Sequence, residues 1–260
     1  MRQIGLSYQE QFSMSPEEQA KIMSEAGFSA TFTGWYGDAQ KELIEAFGKH
    51  NIVCETIHGP FRPINEFWLD CEVGEKIYHD FSKCIEDCDK YDIPTLVLHM
   101  SSGMTPPPIT EIGIQRIEKL IEQAAKKNIT LAFENLRKLF NLAWAFETYR
   151  DCDTIKFCWD NGHQYCFTPN IDFMPMFGKK TGCLHLHDNY QILNQDDHLL
   201  PFDGTIDMQG IANRIKDSGF DGTLMLEVFP GKHEKYANMS EEEYIFKAGE
   251  SAKRLASLLE

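Results

Sequence analysis

A chain of 260 residues, 42% of them hydrophobic, is long enough to bury a sizeable core in one large domain. Its net charge of −15 argues against a general polyanion-binding surface, because affinity for nucleic acid comes largely from Lys and Arg on phosphates. Eight Cys without a CxxC pair, no signal-like N-terminus and no apolar run of about 18 to 20 residues lead us to expect reduced thiols, no membrane span and a cytoplasmic protein.

Short β-rich runs alternate with longer helical ones. RQIGLSY (2–8) reads as a strand, and SPEEQAKIMSEAG (15–27) as a helix with Ser15 as N-cap, Pro16 in the first position and Gly27 past the end. FSATFTGWY (28–36) is the second strand, followed by a helix from DAQKELIEAFGKHN. IVCETIHG (52–59) is the third, followed by a long helical region over 66–92. TLVLHMS (95–101) and ITLAFENL (129–136) are the fourth and fifth strands, separated by TEIGIQRIEKLIEQAAKKN. A weaker helix lies around 141–150. TIKFCWD (154–160) is the sixth strand, with a short helix near 171–178, and TGCLHLHD (181–188) is the seventh. DMQGIANRIKDSG (207–219), GTLMLEVF (222–229) and SEEEYIFKAGESAKRLASLLE complete the series. Alternation of this kind implies parallel strands with right-handed crossovers. Eight units without a linker, and no glycine fingerprint after strand one, predict a single-domain (β/α)8 barrel spanning residues 1–260.

Chemistry in such barrels sits at the C-terminal ends of the strands. Strand three ends in His58, strand four in His99 and strand five in Glu134. Strand six ends in Asp160, followed by His163. Strand seven carries His185, His187 and Asp188, and strand eight ends in Glu227. A single terminal His or carboxylate is commonly a hydrogen-bonded or capping residue. Six successive strands ending this way is a different pattern. A carboxylate in the mostly apolar run ITLAFE costs several kcal/mol to bury unless it is paired, protonated or bound to a metal. Glu134, Asp160, His185 and Glu227 would converge from neighbouring strands. Three carboxylates and one imidazole suit Mn²⁺, Mg²⁺, Co²⁺ or Zn²⁺ with positions left open for substrate.

The pieces IHGPF (57–61), LVLH (96–99), FENL (133–136), WDNGH (159–163), LHLHD (184–188), DDHLLPFDGTID (196–207) and LEV (226–228) resemble, in order, the xylose-isomerase-like barrel superfamily. That group includes sugar-phosphate isomerases and epimerases, ketose 3-epimerases and endonuclease IV-type apurinic endonucleases. The resemblance implies a shared metal site at Glu134, Asp160, His185 and Glu227, with Glu134 and Glu227 also acting as acid and base. It implies His185 rather than His187 as the ligand of the strand-seven motif, and contact of His163 with substrate oxygens. His58, His99, His163, Asp196 and His198 look like the additional ligands of the trinuclear endonucleases, so one divalent ion per chain is expected, with room for up to three. Two departures stand out. NYQILNQ follows strand seven where ketose epimerases carry an Arg, and WDNGH replaces the endonucleases' strand-six run.

The activity implied is isomerisation or epimerisation of a sugar or sugar phosphate by proton transfer through a metal-stabilised cis-enediolate. The alternative is a multi-metal phosphoester hydrolase or lyase of the endonuclease IV type. His58, His99, His163 and His187 are expected to contact substrate. Trp35, Tyr36, Phe61, Trp68 and Tyr190 are candidates to line the pocket, with Trp35 and Phe61 touching substrate. Arg62 and Lys232 are candidates to hold a phosphate. Expected partners are a small sugar, no membrane, no nucleic acid, and further copies of the chain in a homo-oligomer.

Overall fold

The computed structural model of the protein describes residues 2–231 and 233–260. Lys232, one of the phosphate candidates, lies outside the described residues. Among the described residues there are eight strands: β1 (Ile4–Ser7), β2 (Ala30–Gly34), β3 (Val53–His58), β4 (Thr95–His99), β5 (Thr130–Glu134), β6 (Ile155–Asp160), β7 (Thr181–His185) and β8 (Leu224–Leu226). They form one parallel sheet in the order β7-β6-β5-β4-β3-β2-β1-β8. A parallel bridge between Leu186 and Leu226 brings the two edges together, so the barrel is nearly closed. The helices are α1 (Pro16–Glu25), α2 (Gln40–Gly48), α3 (Glu72–Lys90), α4 (Glu111–Lys127), α5 (Leu139–Thr148), α6 (Asn161–Phe167), α7 (Met174–Phe177), α8 (Met208–Ser218) and α9 (Glu241–Ser257). This is the (β/α)8 architecture the alternating pattern predicts.

Local chemistry sets the helix ends. Ser15 and Glu18 close a capping box at the start of α1, and Ser240 and Glu243 do the same for α9. Gly27 follows α1 at φ +94°, a backbone region that favours glycine. The helical region expected over 66–92 is divided. A 3₁₀ turn covers Ile64–Trp68, and α3 begins only after Cys71, which is extended and whose thiol accepts the Gly74 N–H.

Strand alternation sorts side chains into two cores. Outward-facing Leu6, Ile57, Leu96, Leu131, Phe157 and Leu184 are sealed under the helices. Inside the barrel, Val97, Ala132, Cys158 and Cys183 form one buried cluster, and Ala30, Phe32 and Met225 another. Val97, Ala132, Cys158 and Cys183 each lie two residues before His99, Glu134, Asp160 and His185. The polar ends of β4 to β7 therefore stand on a floor of small side chains.

Candidate metal centre

Glu134, 2% exposed, is where the clusters meet. Its Oε2 lies 3.1 Å from His58 Nε2 and 3.0 Å from His99 Nε2, and those two nitrogens are 3.2 Å apart. Its Oε1 lies 3.4 Å from His185 Nδ1 and 3.2 Å from His163 Nδ1. His185 Nδ1 is also 3.0 Å from Glu227 Oε2. On the far side, His163 Nε2 and His198 Nε2 each lie 3.1 Å from Asp196 Oδ2, while His187 Nε2 is 3.2 Å from Asp160 Oδ1 and 3.6 Å from Asp196 Oδ1.

Among the described residues four groups result, each with donor atoms within 4.8 Å of one another and each able to hold a metal ion: Glu134, Asp160, His185 and Glu227; His58, His99 and Glu134; His163, His187, Asp196 and His198; and Glu134, Cys158 and His185, which overlaps the first. The structure thus brings the expected four ligands together, and the further set too. It adds His187 to the third group, where the sequence placed it only against substrate.

The donor chemistry fits a dication. His58 donates Nδ1–H to the Gly59 carbonyl at 2.8 Å, and His198 donates Nδ1–H to the Glu227 carbonyl at 2.9 Å. A carbonyl only accepts, so in the neutral rings Nε2 turns a lone pair toward a carboxylate. Lone pairs and carboxylates at these separations repel unless a proton or a metal cation lies between them. Asp160 Oδ2, both ring nitrogens of His185, His187 Nε2 and Glu227 Oε2 are buried without a hydrogen bond. The 3.0 Å approach of His185 to Glu227 is not aligned as a hydrogen bond. Such close, unaligned donors are what two ligands of one ion look like.

The electrostatics hold the carboxylates charged and draw positive charge onto imidazoles facing them. Burial opposes charge on Glu134, but His185, His99 and His163 hold its carboxyl well below the usual carboxylate range. Burial likewise opposes charge on Glu227 and Asp196, and is overcome by His185 in the first case and by His163 and His198 in the second. Burial lowers His99, whereas Glu227 and Glu134 raise His185 against burial, and Asp196 lifts His198 to about 9.

Several supporting residues went unassigned in the sequence. Asp160 caps α6, which was not expected over 161–167: its Oδ1 accepts the His163 N–H at 2.6 Å, leaving Oδ2 for the cluster. Asn135 clamps Asp160 through both backbone groups, accepting at 2.9 Å and donating at 2.8 Å, and its own carbonyl accepts from His163 Nδ1. Asn161 grips the His187 backbone in the same way. Asp188 accepts the N–H groups of Asn189, Gly204 and Ile206, which folds the loop carrying Asp196 and His198 back over the mouth. In that loop His198 sits at φ +48°, strained backbone of a kind found at functional sites. The polar residues of FENL and WDNGH are the sequence signal for Asn135 and Asn161.

The aromatic expectations divide. Phe61 lies at the mouth, half exposed, with its ring centroid 5.7 Å from His58 and 5.3 Å from His99. Tyr190 is exposed nearby in the chain. Trp68 is not a pocket residue: it is fully buried, its indole donates to the Met100 carbonyl, and its ring packs against Gly113 of α4 and Trp144 of α5. Trp35 donates its indole N–H to Asp87 on α3 at 2.7 Å, and Tyr36 donates to Glu10. Arg62 is exposed, 5.6 Å over the Phe61 ring. Arg137, which no motif marks, lies 3.6 Å over Phe167, whose ring stacks on His163.

A family model described as xylose isomerase-like TIM barrel matches residues 5–254. The chain belongs to that family. An uncharacterised protein of Sinorhizobium fredii, y4fM, is 30% identical over 144 residues, covering 55% of this chain and 43% of that one, so the match spans less than half of the relative's length. Among solved structures, a D-psicose 3-epimerase with D-tagatose from Clostridium cellulolyticum H10 aligns with TM-score 0.79 at 15% identity over 99% of both chains. A D-tagatose 3-epimerase-like protein aligns with TM-score 0.72 at 18% identity, covering 99% of this chain and 98% of that one. The IolI protein with a bound zinc atom aligns with TM-score 0.75 at 16% identity, covering 98% and 97%. At these identities the likeness is one of fold.

Proposed function

We propose that the protein is a metal-dependent isomerase or epimerase of a sugar or sugar phosphate. The observation that carries this reading is the convergence of Glu134, from the end of β5, and Glu227, just past β8, on one buried imidazole, His185, beside the unpartnered Asp160 Oδ2. Glu134, Asp160, His185 and Glu227 would hold the ion. When bound, a dication there would polarise a substrate carbonyl and make the adjacent C–H more acidic. One of Glu134 and Glu227 takes that proton, leaving an enediolate. The other returns a proton to the opposite face, giving epimerisation, or to the neighbouring carbon, giving isomerisation. In this reading His163 and His187 would contact substrate oxygens. Phe61 would cover part of the mouth with substrate bound and limit access of water to the enediolate. Arg137 and Arg62, over the rings of Phe167 and Phe61, would suit a phosphate. The eight free cysteines suit the reducing cytoplasm.

The test is a screen of ketoses and ketose phosphates in D₂O for hydrogen exchange beside the carbonyl. Glu227→Gln should lower turnover by about 10² to 10⁴-fold while sugar still binds. Undiminished turnover in that variant overturns the acid–base assignment, and absence of exchange with every sugar overturns the substrate class.

A separate observation favours a second reading, a multi-metal phosphoester hydrolase. The His58–His99 pair and the His163–His187–Asp196–His198 group flank the central four, and the first shares Glu134 with it. Three contiguous ion sites suit in-line displacement at phosphorus. Elemental analysis separates the two: one ion per chain with ketose exchange supports the isomerase, and three ions with phosphodiester cleavage and no exchange supports the hydrolase. The net charge of −15 weighs against DNA as substrate.

A further inference from the structure

The opposite end of the barrel holds a cavity of about 340 Å³, lined by Gln3, Glu55, Thr56, Thr95, Thr223 and Met225, with Val53, Pro94 and Phe220 as its apolar wall. Its volume falls at the lower end of small-molecule sites, about 300–1,000 Å³. Thr95 and Thr223 lie four residues before His99 and Glu227, about 13 Å back along the chain at 3.3 Å per residue. The Val97, Ala132, Cys158 and Cys183 layer lies between. The cavity is therefore separate from the metal centre.

Two bulges shape it. On β3 the register against β2 passes from Cys54 to Thr56, leaving Glu55 as the extra residue. On β7 the register against β6 passes from Thr181 to Cys183, leaving Gly182 extra. Bulges redirect side chains. Glu55 is turned into the cavity, and at Gly182 a Cβ would sit 2.6 Å from Lys156 Cβ, so only glycine leaves the wall open there.

The polar groups in this cavity are incompletely satisfied. Thr223 donates to Glu55 Oε1 at 2.7 Å, the one hydrogen bond to that carboxylate among the described residues. No ion pair reaches Glu55 among the described residues, and burial pushes its carboxyl up. Thr56 is 5% exposed, lines the cavity, and its Oγ1 is buried with no partner. Of the cations near the rim, neither reaches Glu55 with an ion pair. Arg2 donates to the Phe220 carbonyl and lies 5.7 Å over the Phe220 ring, and Lys156 stands beside Gly182.

We infer that this cavity is a second ligand site that takes a small primary ammonium compound, its charge on Glu55, its N–H on Thr56 Oγ1, and its carbon chain against Val53, Pro94, Phe220 and Met225. An ammonium supplies the donors that both oxygens lack, and an apolar wall suits a short alkyl body. A bare metal ion would find one carboxylate and a space far too large.

Butylamine is the probe, with butanol and butyrate as neutral and anionic matches, titrated calorimetrically into the full chain. Butylamine should bind and the other two should not. Glu55→Gln should weaken it about tenfold or more, since a charge-assisted hydrogen bond is lost. Thr56→Val removes an unpartnered hydroxyl without changing shape, so the variant should melt no lower than the parent, yet bind butylamine about threefold more weakly. Glu227→Gln, at the other end, should leave butylamine binding intact. The inference is overturned if butylamine does not bind, if butyrate binds equally well, or if both Glu55→Gln and Thr56→Val bind like the parent. Loss of binding in Glu227→Gln with retention in Glu55→Gln overturns it too, placing the amine at the metal centre.

Discussion

Gly162→Ala tests how tightly the third ligand group is held. A Cβ at residue 162 would lie 1.9 Å from His187 Cε1, 2.2 Å from Nε2 and 2.4 Å from Nδ1. These are hard overlaps, so one partner must move. The imidazole cannot swing freely. His187 is fully buried, its backbone is held at both polar groups by Asn161, and its ring stacks on His198 with centroids 4.2 Å apart. On α6 the backbone of residue 162 is pinned from the other side, since Asn189 donates to the Gly162 carbonyl. Overpacking a rigid site costs about 1–3 kcal/mol. At this chain length that is about 2–4 °C of Tm for each kcal/mol. We expect a melt several degrees lower and weakened metal binding by His163, His187, Asp196 and His198, with Glu134, Asp160, His185 and Glu227 less affected. Differential scanning calorimetry and zinc titration read the two effects. The double variant Gly162→Ala/His187→Ala removes the clash and should melt closer to His187→Ala alone than additivity allows. A single variant that melts and binds zinc as the parent does would refute the reasoning, because it would mean His187 yields at no cost.

Three further outcomes are expected. Asn135→Ala leaves the N–H and carbonyl of Asp160 without partners inside the barrel, and should cost about 2–4 kcal/mol by denaturant titration; an unchanged midpoint would mean the clamp is not needed. Chelation should lower Tm, since an ion present at a hundred times its Kd stabilises by about 2.7 kcal/mol; a melt indifferent to chelator would contradict the ion assignment. Burial opposes charge on Asp203, but Lys247, Lys235 and Tyr236 hold its carboxyl below the ordinary range. Its folded pKa is then lower than its unfolded one, so its stabilisation is present above about pH 4 and fades as pH falls through the folded value. Asp203→Asn should be less stable than the parent at pH 7 and converge with it in acid, and a gap that persists at low pH would point to packing instead.

The barrel was legible because its strands and helices differ in period and its helix ends carry strong chemistry: the Ser15 and Ser240 capping boxes are visible as letters. The convergence of Glu134, Asp160, His185 and Glu227 was legible because a parallel barrel puts all strand ends at one mouth. What the letters hid was local. NGHQYCF has no apolar stripe, so α6 could not be seen, and it forms because Asp160 caps it. Trp68 looked like a loop aromatic, but the 3₁₀ turn drives it inward onto Gly113, a contact set by packing between distant segments. The cavity around Glu55 depends on two one-residue register shifts, which no periodicity in a single strand records.

Why, then, does the buried acid at the end of ITLAFE not wreck the strand? The answer lies in the layering of the interior. Side chains repeat every second residue, so whatever stands two positions below a strand end determines what that end can carry. Below Glu134, Asp160 and His185 stand Ala132, Cys158 and Cys183, too small to reach the mouth and without charges to contest it. The ring above is left wide enough for carboxylates and imidazoles to face one another at 3.0 to 3.6 Å. That ring cannot be neutral by hydrogen bonding alone, since Asp160 Oδ2, Glu227 Oε2 and both nitrogens of His185 have no aligned partner. Positive charge balances it, as protons on imidazoles such as His185 and His198 or as a bound metal ion. The same small layer closes the mouth off from the lower cavity, so one floor of four side chains sets the width of the site above and the depth of the cavity below.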